Sequence, residues 1–266
     1  MKVYKDISYA DKSDRNVLDI YLPEGNSKPY PVLIWIHGGA FRIGDKADPP
    51  SLERLLSEGF AVVSINYRYS SEAKWPAQLE DLANVVRFVK AKAADYGFDA
   101  TRITAWGLSA GGHLSSVMAI ALADSEETRI HAAINWYGPM HFAEMDNDMA
   151  RTGVQRRSPP NSGAGSPESE LIGAVVKDNP DLAYKASPLY YLERAETVAP
   201  FLIMHGAQDD LIAPLQSERL RDALKSKFGA SAAEYHYLNN GGHGGGDFES
   251  VWVEDIVIRF LKRVLT

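Results

Sequence analysis

The sequence predicts a doubly wound α/β fold, a mostly parallel sheet of about eight strands with helices on both faces. Three observations predict it. Short runs that are apolar at every position, such as Val32–Ile36 and Phe60–Ile65, read as strands buried on both sides. Stretches of helical spacing separate these runs, so strands and helices alternate as βαβ units require. The segment Ile103 to Leu114 takes an apolar strand through Gly107-x-Ser109-x-Gly111 into a small-residue helix, which is a strand, a sharp turn and a helix in succession.

The elements follow in order. Tyr4–Ala10 and Val17–Leu22 read as strands joined by the polar turn Asp11–Arg15, both antiparallel to the main sheet. Pro23 through Pro31 is a connection rich in Pro, Gly and Ser, and Val32–Ile36 is the first buried strand. Ser51–Ser57 has helical spacing and stops at Gly59, ahead of the strand Phe60–Ile65. Trp75–Tyr96 reads as one long amphipathic helix, entered near Pro76 and ended by Gly97. The Ser109 strand and the helix Ser115–Ala123 come next, then the strand His131–Trp136. From about 139 to 188 the pattern breaks into Gly, Pro, Ser, Asn and charge, as in a lid or binding insertion, with short helices expected at Ser169–Val176 and Pro180–Ala186. Regularity returns with the strand Phe201–Met204, the helix Leu215–Phe228, the strand Glu234–Leu238 and a last helix from about Phe248 to Leu265. Without a repeat or a shift in composition, residues 1–266 read as a single domain.

Composition narrows the function. With 45% hydrophobic and 24% charged residues, the chain fits the ordinary globular class. A net charge of −7, with no basic cluster beyond Arg156-Arg157, argues against a nucleic-acid surface. No cysteine is present, which excludes disulfides, thiolate catalysis and cysteine metal sites. Met1–Asp6 enters strand-like alternation directly, without the apolar core of a secretion signal, and no apolar run approaches the roughly 18 residues of a membrane span. The expectation is a cytoplasmic protein.

The Gly-x-Ser-x-Gly turn lifts the Ser109 hydroxyl out at a strand's carboxyl end, above a helix amino terminus. A serine hydroxyl needs a base to take its proton, and the base needs a third group to fix its tautomer. Sites in doubly wound sheets form at the carboxyl ends of strands. There, after Phe201–Met204, stands His205-Gly206-Ala207-Gln208-Asp209-Asp210, and after the next strand stands Asn239-Asn240-Gly241-Gly242-His243-Gly244. His243, flanked by glycines, is the candidate base. From the residues alone, either Asp209 or Asp210 serves as the acid. Glycines after the first buried strand let the N–H groups of Gly39 and Ala40 turn inward, and with the N–H of Ala110 they make a candidate oxyanion hole.

Five stretches then carry a resemblance. His37-Gly38-Gly39-Ala40-Phe41, Asn66–Glu72, Gly107–Leu114, His205-Gly206-x-x-Asp209 and Gly242-His243-Gly244 resemble the α/β-hydrolase superfamily. They are most similar to the HGG-type esterases and lipases related to hormone-sensitive lipase, and to its compact bacterial feruloyl- and acetyl-esterase-like branch. The resemblance spans about Val3 to the carboxyl end and implies an α/β-hydrolase fold with Asp209 as the triad acid. Two positions depart from it: Ala40 stands where a third glycine is frequent, and Tyr69-Ser70-Ser71 replaces the usual Leu-Ser/Ala-Pro.

The sequence thus reads as a serine carboxylic ester hydrolase working through an acyl-enzyme, with Ser109, Asp209 and His243 as triad. The resemblance implies short-chain or aromatic acid esters, acetyl or feruloyl esters of plant polysaccharide among them. An arylformamidase-like amide hydrolase and a non-catalytic binding module on the same fold are the alternatives. No metal or cofactor is expected. The expected partner is a small-molecule ester, with no nucleic acid or membrane, acting on a monomer or homodimer. His37, His113 and His205 read as buried hydrogen-bonding residues that shape loops, and Asn66, Tyr67, Arg68 and Glu72 as a polar network beneath the site. Asp247 reads as the cap of the last helix, and His141 and Glu144 as surface. Trp136 and Tyr137 are candidate acyl-pocket residues, with Phe41, Met140, Phe142 and Leu171 as lid or loop candidates. Arg156-Arg157 with Pro159-Pro160 is not expected to form an apolar flap.

Overall fold

A computed structural model describes residues 1–25, 28–47 and 49–265, so Asn26 and Ser27 of the Pro23–Pro31 connection lie outside the described residues. The strands are β1 (Lys2–Ser8), β2 (Val17–Leu22), β3 (Tyr30–Ile36), β4 (Ala61–Ile65), β5 (Phe98–Leu108), β6 (Ala132–Trp136), β7 (Phe201–Gly206) and β8 (Ala233–Leu238). The helices are α1 (Leu52–Ser57), α2 (Ala77–Ala91), α3 (Ala93–Tyr96), α4 (Ala110–Ala121), α5 (Met145–Thr152), α6 (Pro167–Ile172), α7 (Pro180–Lys185), α8 (Pro188–Leu192), α9 (Pro214–Phe228) and α10 (Val251–Leu265).

One eight-stranded sheet runs in the order β1-β2-β4-β3-β5-β6-β7-β8. This is the α/β-hydrolase fold. The pairs from β4 to β8 are all parallel. Only β2 runs against the rest, because it is antiparallel to both β1 and β4. The expectation that both leading strands run against the sheet therefore holds for β2 alone.

Strand alternation assigns the faces. Val32, Ile34 and Ile36 of β3 belong to one apolar layer with Leu82, Val86 and Val89 of α2, Leu114 and Met118 of α4 and Leu220 and Leu224 of α9. Leu33 and Trp35 belong to the other, with Leu55 of α1 and Val253, Val257 and Leu261 of α10. All of these are buried, so the continuous apolar runs are strands covered on both sides.

Several boundaries differ from the expectation for local reasons. The long helix divides at Lys92, whose φ of −97° and ψ of 10° leave the helical region. The expected helix at Ser169–Val176 instead runs Pro167–Ile172. Ser166 caps it by accepting from the Ser169 N–H, Pro167 takes the first turn, and Gly173 at φ 72° ends it. The segment between β6 and β7 also carries α5 and α8, which the composition hides. Helix α10 begins at Val251, after a 3-10 turn at Gly246–Glu249. Asp247 is not its cap: its carboxylate accepts from the Asn240 N–H at 2.9 Å and closes the loop that follows β8.

Candidate active site

Ser109 stands between β5 and α4 at φ 55° and ψ −120°, a conformation few non-glycine residues adopt. The elbow survives because its neighbours lack side chains. A Cβ on Gly107 would lie 2.0 Å from the Gly111 carbonyl oxygen, and one on Gly111 would lie 2.0 Å from that of Ile36. The turn is anchored to the sheet by the Ser109 N–H, which donates to the Trp136 carbonyl at 2.9 Å, and the Ser109 carbonyl starts α4 by accepting from His113.

The loops after β7 and β8 bring two more groups to this point. His243 Nε2 is 2.9 Å from Ser109 Oγ. His243 Nδ1 is 2.8 Å from Asp209 Oδ2. A carboxylate only accepts, so Nδ1 carries the proton and Nε2 offers its lone pair to the serine hydroxyl. Asp209 is fully buried, and its Oδ1 accepts from the N–H groups of Leu211 and Ile212 at 2.9 and 2.8 Å. Burial raises its affinity for a proton, but hydrogen bonds from His205 and His243 outweigh this and hold the carboxyl below its ordinary value. Asp210 points elsewhere, 3.5 Å from Arg157.

His205 supports that carboxylate from below. Its Nε2 lies 2.9 Å from the Ile212 carbonyl and 3.2 Å from Asp209 Oδ2, both acceptors, so Nε2 bears the proton. Its Nδ1 then accepts from the Ser217 hydroxyl at 2.7 Å. The Tyr137 ring packs edge-on against His243, with centroids 4.7 Å apart.

The loop after β3 holds three successive residues in the left-handed region, with Gly39 at φ 103°, Ala40 at 54° and Phe41 at 60°. The Gly38 carbonyl is pinned by His37 Nδ1 at 2.6 Å and by the Tyr67 hydroxyl at 3.3 Å. In a trans peptide the C=O and N–H point opposite ways, so this grip turns the Gly39 N–H away from His37. Among the described residues no backbone carbonyl accepts from the N–H groups of Gly39, Ala40 or Ala110. Ala40 and Ala110 border the same cavity as Ser109 and His243.

Most of the expected support residues occupy structural posts. His113 is buried, donates through Nε2 to the Ala186 carbonyl at 2.8 Å, and stacks on Phe142. Arg68 pairs with buried Asp81, and Asn66 donates to Asp45. The departing Tyr69 stacks under the Arg15 guanidinium at 3.5 Å and donates to the Gly44 carbonyl, while Glu72 accepts from the Tyr69 N–H. His141 is half-buried against Tyr184 rather than free on the surface, and Glu144 faces Arg219.

The cavity beside Ser109 measures about 460 Å³. Of the six pocket candidates, only Phe41 lines it. Trp136 packs on Trp106 and Phe248, Tyr137 on His243 and Phe248, and Met140, Phe142 and Leu171 are sealed in the core. They brace the site instead: the Trp136 carbonyl holds the Ser109 N–H, Tyr137 packs on His243, and Phe142 packs on Phe41 and His113. The outer wall comes instead from the insertion and the loop after β7: Pro159, Pro160, Asn161, Pro167, Glu168 and Ile212. Pro159 and Pro160 border the cavity while remaining exposed, between Ser158 and Asn161. Asn161 and Glu168 carried no sequence signal: both fall in the polar insertion, and Glu168 stands just before the helix expected at Ser169. Among the described residues no group of three or more His, Cys, Asp or Glu could hold a metal ion, and no helix is long and apolar enough to cross a membrane.

The chain matches the family described as BD-FAE over residues 18–224. It is 31% identical over 252 residues to Esterase LipQ of Mycobacterium tuberculosis, covering 90% of this chain and 56% of LipQ. It spans about half the length of such relatives, 51% for LipM and 54% for LipC of the same organism. Among solved structures, a truncated carbohydrate esterase from gut microbiota superposes with a TM-score of 0.86 at 28% identity, covering 99% of this chain and 96% of that one. A bifunctional GH43-CE protein of Bacteroides eggerthii gives a TM-score of 0.84 at 31% identity, covering 99% of this chain and 38% of that one.

Proposed function

The chain belongs to the BD-FAE family, and from that premise we propose that it is a serine carboxylic ester hydrolase with Ser109, His243 and Asp209 as its triad. The observation that carries this reading is the hydrogen-bonded chain itself, 2.9 Å from hydroxyl to imidazole and 2.8 Å from imidazole to carboxylate. His243 takes the Ser109 proton as Oγ attacks the ester carbonyl, and Asp209 stabilises the imidazolium. The N–H groups of Gly39, Ala40 and Ala110 receive the charge that builds on the carbonyl oxygen. His243 then gives its proton to the departing alcohol, leaving an acyl group on Ser109. Water, deprotonated by His243, adds to the acyl carbon, and the Oγ–C bond then breaks as His243 returns that proton to Ser109 Oγ, releasing the acid and restoring the free enzyme. The steps call for no metal or cofactor.

In this reading the chain acts as one catalytic domain, with the segment from about 139 to 188 as a lid over the cavity. Its substrates are small esters of short-chain or aromatic acids. The carbohydrate esterase relationship supports acetyl or feruloyl groups on plant polysaccharide as the natural targets. The experiment is labelling by a fluorophosphonate probe alongside 4-nitrophenyl acetate hydrolysis. Ser109→Ala is expected to abolish both, and unchanged turnover in that variant rejects the mechanism. Faster turnover of N-formylkynurenine than of phenyl esters would move the assignment to a formamide hydrolase.

A further inference from the structure

Glu168 lies in the cavity that holds Ser109 and His243, yet ester hydrolysis gives it no task. It is 4% exposed. Its Oε2 accepts from the Asn161 side-chain amide at 3.2 Å. That amide cannot turn round, because Asn161 Oδ1 is already taken by the Arg156 guanidinium, which also pairs with Asp146. Asn161 is further fixed by its own N–H, which donates to Asp146 at 2.8 Å. Among the described residues no cation pairs with Glu168. The nearby Arg42 is spent on the carbonyls of Gly165 and Ser166 and on Glu170.

The surrounding walls are apolar, made by Phe41, Pro159, Pro160, Pro167, Leu211 and Ile212. A carboxyl held this way, with the Asn161 amide and its own N–H as donors but no ion-pair partner, stays costly to ionise and has lone pairs left for a further donor. Burial accordingly pushes Glu168 up to about 7. Pockets of this make-up use a few fixed polar groups to orient a ligand within an apolar surround.

We propose that the Glu168–Asn161 pair is the specificity-determining anchor of this cavity, binding a hydroxyl group carried by the substrate ester. The inference rests on the ester hydrolase reading of Ser109 and adds the residues that would select among its esters. A hydroxyl can donate to the carboxylate or exchange hydrogen bonds with the neutral acid, so it satisfies Glu168 in either state. A plain alkyl or aryl group would offer the carboxyl no donor beyond the Asn161 amide and the Glu168 N–H, and an anionic substrate would meet like charge. The preferred esters are therefore uncharged and hydroxylated.

The test compares matched esters on the wild-type enzyme. One pair places the hydroxyl on the acyl side, methyl 3-(4-hydroxyphenyl)propanoate against methyl 3-phenylpropanoate. The other places it on the alcohol side, a monoacetylated methyl xyloside against cyclohexyl acetate. We expect the hydroxylated member of one pair to lead by about tenfold or more in kcat/KM, and the pair concerned identifies the source of the hydroxyl. Glu168→Leu should cut that ratio to within about twofold, chiefly through KM, and Glu168→Gln should keep part of it. Wild-type enzyme that is labelled by the fluorophosphonate but treats both members of both pairs alike overturns this proposal and leaves the hydrolase reading standing. Wild-type enzyme that is neither labelled nor active on any ester overturns the hydrolase reading and the anchor with it.

Discussion

Arg15 Nη2 lies 3.3 Å from Nε2 of His37, reaching from the turn between β1 and β2 to the loop that follows β3. Arginine can only donate, so Nε2 accepts and the ring's single proton sits on Nδ1, facing the Gly38 carbonyl. Burial, with repulsion from Arg15, lowers the His37 pKa to about 4 and keeps the ring neutral. A residue far from the reacting atoms thereby fixes the tautomer that orients the Gly38–Gly39 peptide. Arg15→Met frees that tautomer without touching the cavity. Loss of a whole oxyanion donor costs about 100-fold or more in kcat, so loosening one should cost about tenfold, with KM little changed. Steady-state kinetics on 4-nitrophenyl acetate check this, and a change confined to KM would contradict it.

The two adjacent acids after β7 are told apart by what they touch. Asp209→Asn would leave the geometry nearly intact but reverse the hydrogen-bond demand on His243 Nδ1, favouring the wrong tautomer. Turnover should fall by about 10³ to 10⁴. Asp210→Asn removes only a half-exposed contact to Arg157 and should stay within about twofold of wild type. Parallel kcat/KM measurements on the two variants check the assignment.

Arg42 ties the loop after β3 to the insertion. It donates to the carbonyls of Gly165 and Ser166 at 3.0 and 2.9 Å and approaches Glu170 at 2.7 Å. Arg42→Ala should let the segment carrying Pro167 and Glu168 drift from the cavity. KM should rise by about tenfold with a smaller change in kcat, because ordering the wall would then be charged to binding. A fall in kcat alone would place Arg42 in the chemistry instead.

Those contrasts mark what was legible in the sequence. The strands and the elbow were readable because each rests on a local rule: apolar at every position for β3 and β4, and small residues at 107 and 111 for the turn. The convergence of Ser109, His243 and Asp209 was readable because parallel strands deliver their following loops to one edge. The choice between Asp209 and Asp210 came from the family resemblance, and no local pattern separates them. The cavity wall was not readable. Trp136 and Phe142 look like pocket residues by type, but Trp136 is buried against Trp106 and Phe248 and Phe142 against His113. Glu168 looks like one more polar residue of the insertion, and nothing local announces that it is buried with Asn161 donating to it. Arg15 gave no signal, since its role depends on a contact across 22 residues of sequence.

Stability should vary with pH in a way that separates Glu168 from the buried histidines. Burial lowers the His113 pKa from 6.5 to about 4, and His37 has the same value. In this window the unfolded chain binds protons at both rings that the folded chain refuses, so their contribution is full above pH 6.5 and is lost as pH falls towards 4. Glu168 works the other way: raised from 4.5 to about 7, it stabilises the fold below pH 4.5 and loses that contribution as pH rises through 7. Between about pH 4.5 and 6.5 these two histidines, joined by His131 and His141, whose pKa values burial also lowers, outweigh Glu168 and the raised Asp81, and stability should climb with pH. Glu168→Gln removes an opposing group, so the climb should steepen by about 1.4 kcal/mol per pH unit, and the variant should gain on wild type from about pH 5 to pH 7 and hold that gain, without adding to it, towards pH 8. Denaturant unfolding of both proteins at pH 5, 6, 7 and 8 checks the sign, and parallel curves across that range would mean that Glu168 titrates as a solvated carboxylate.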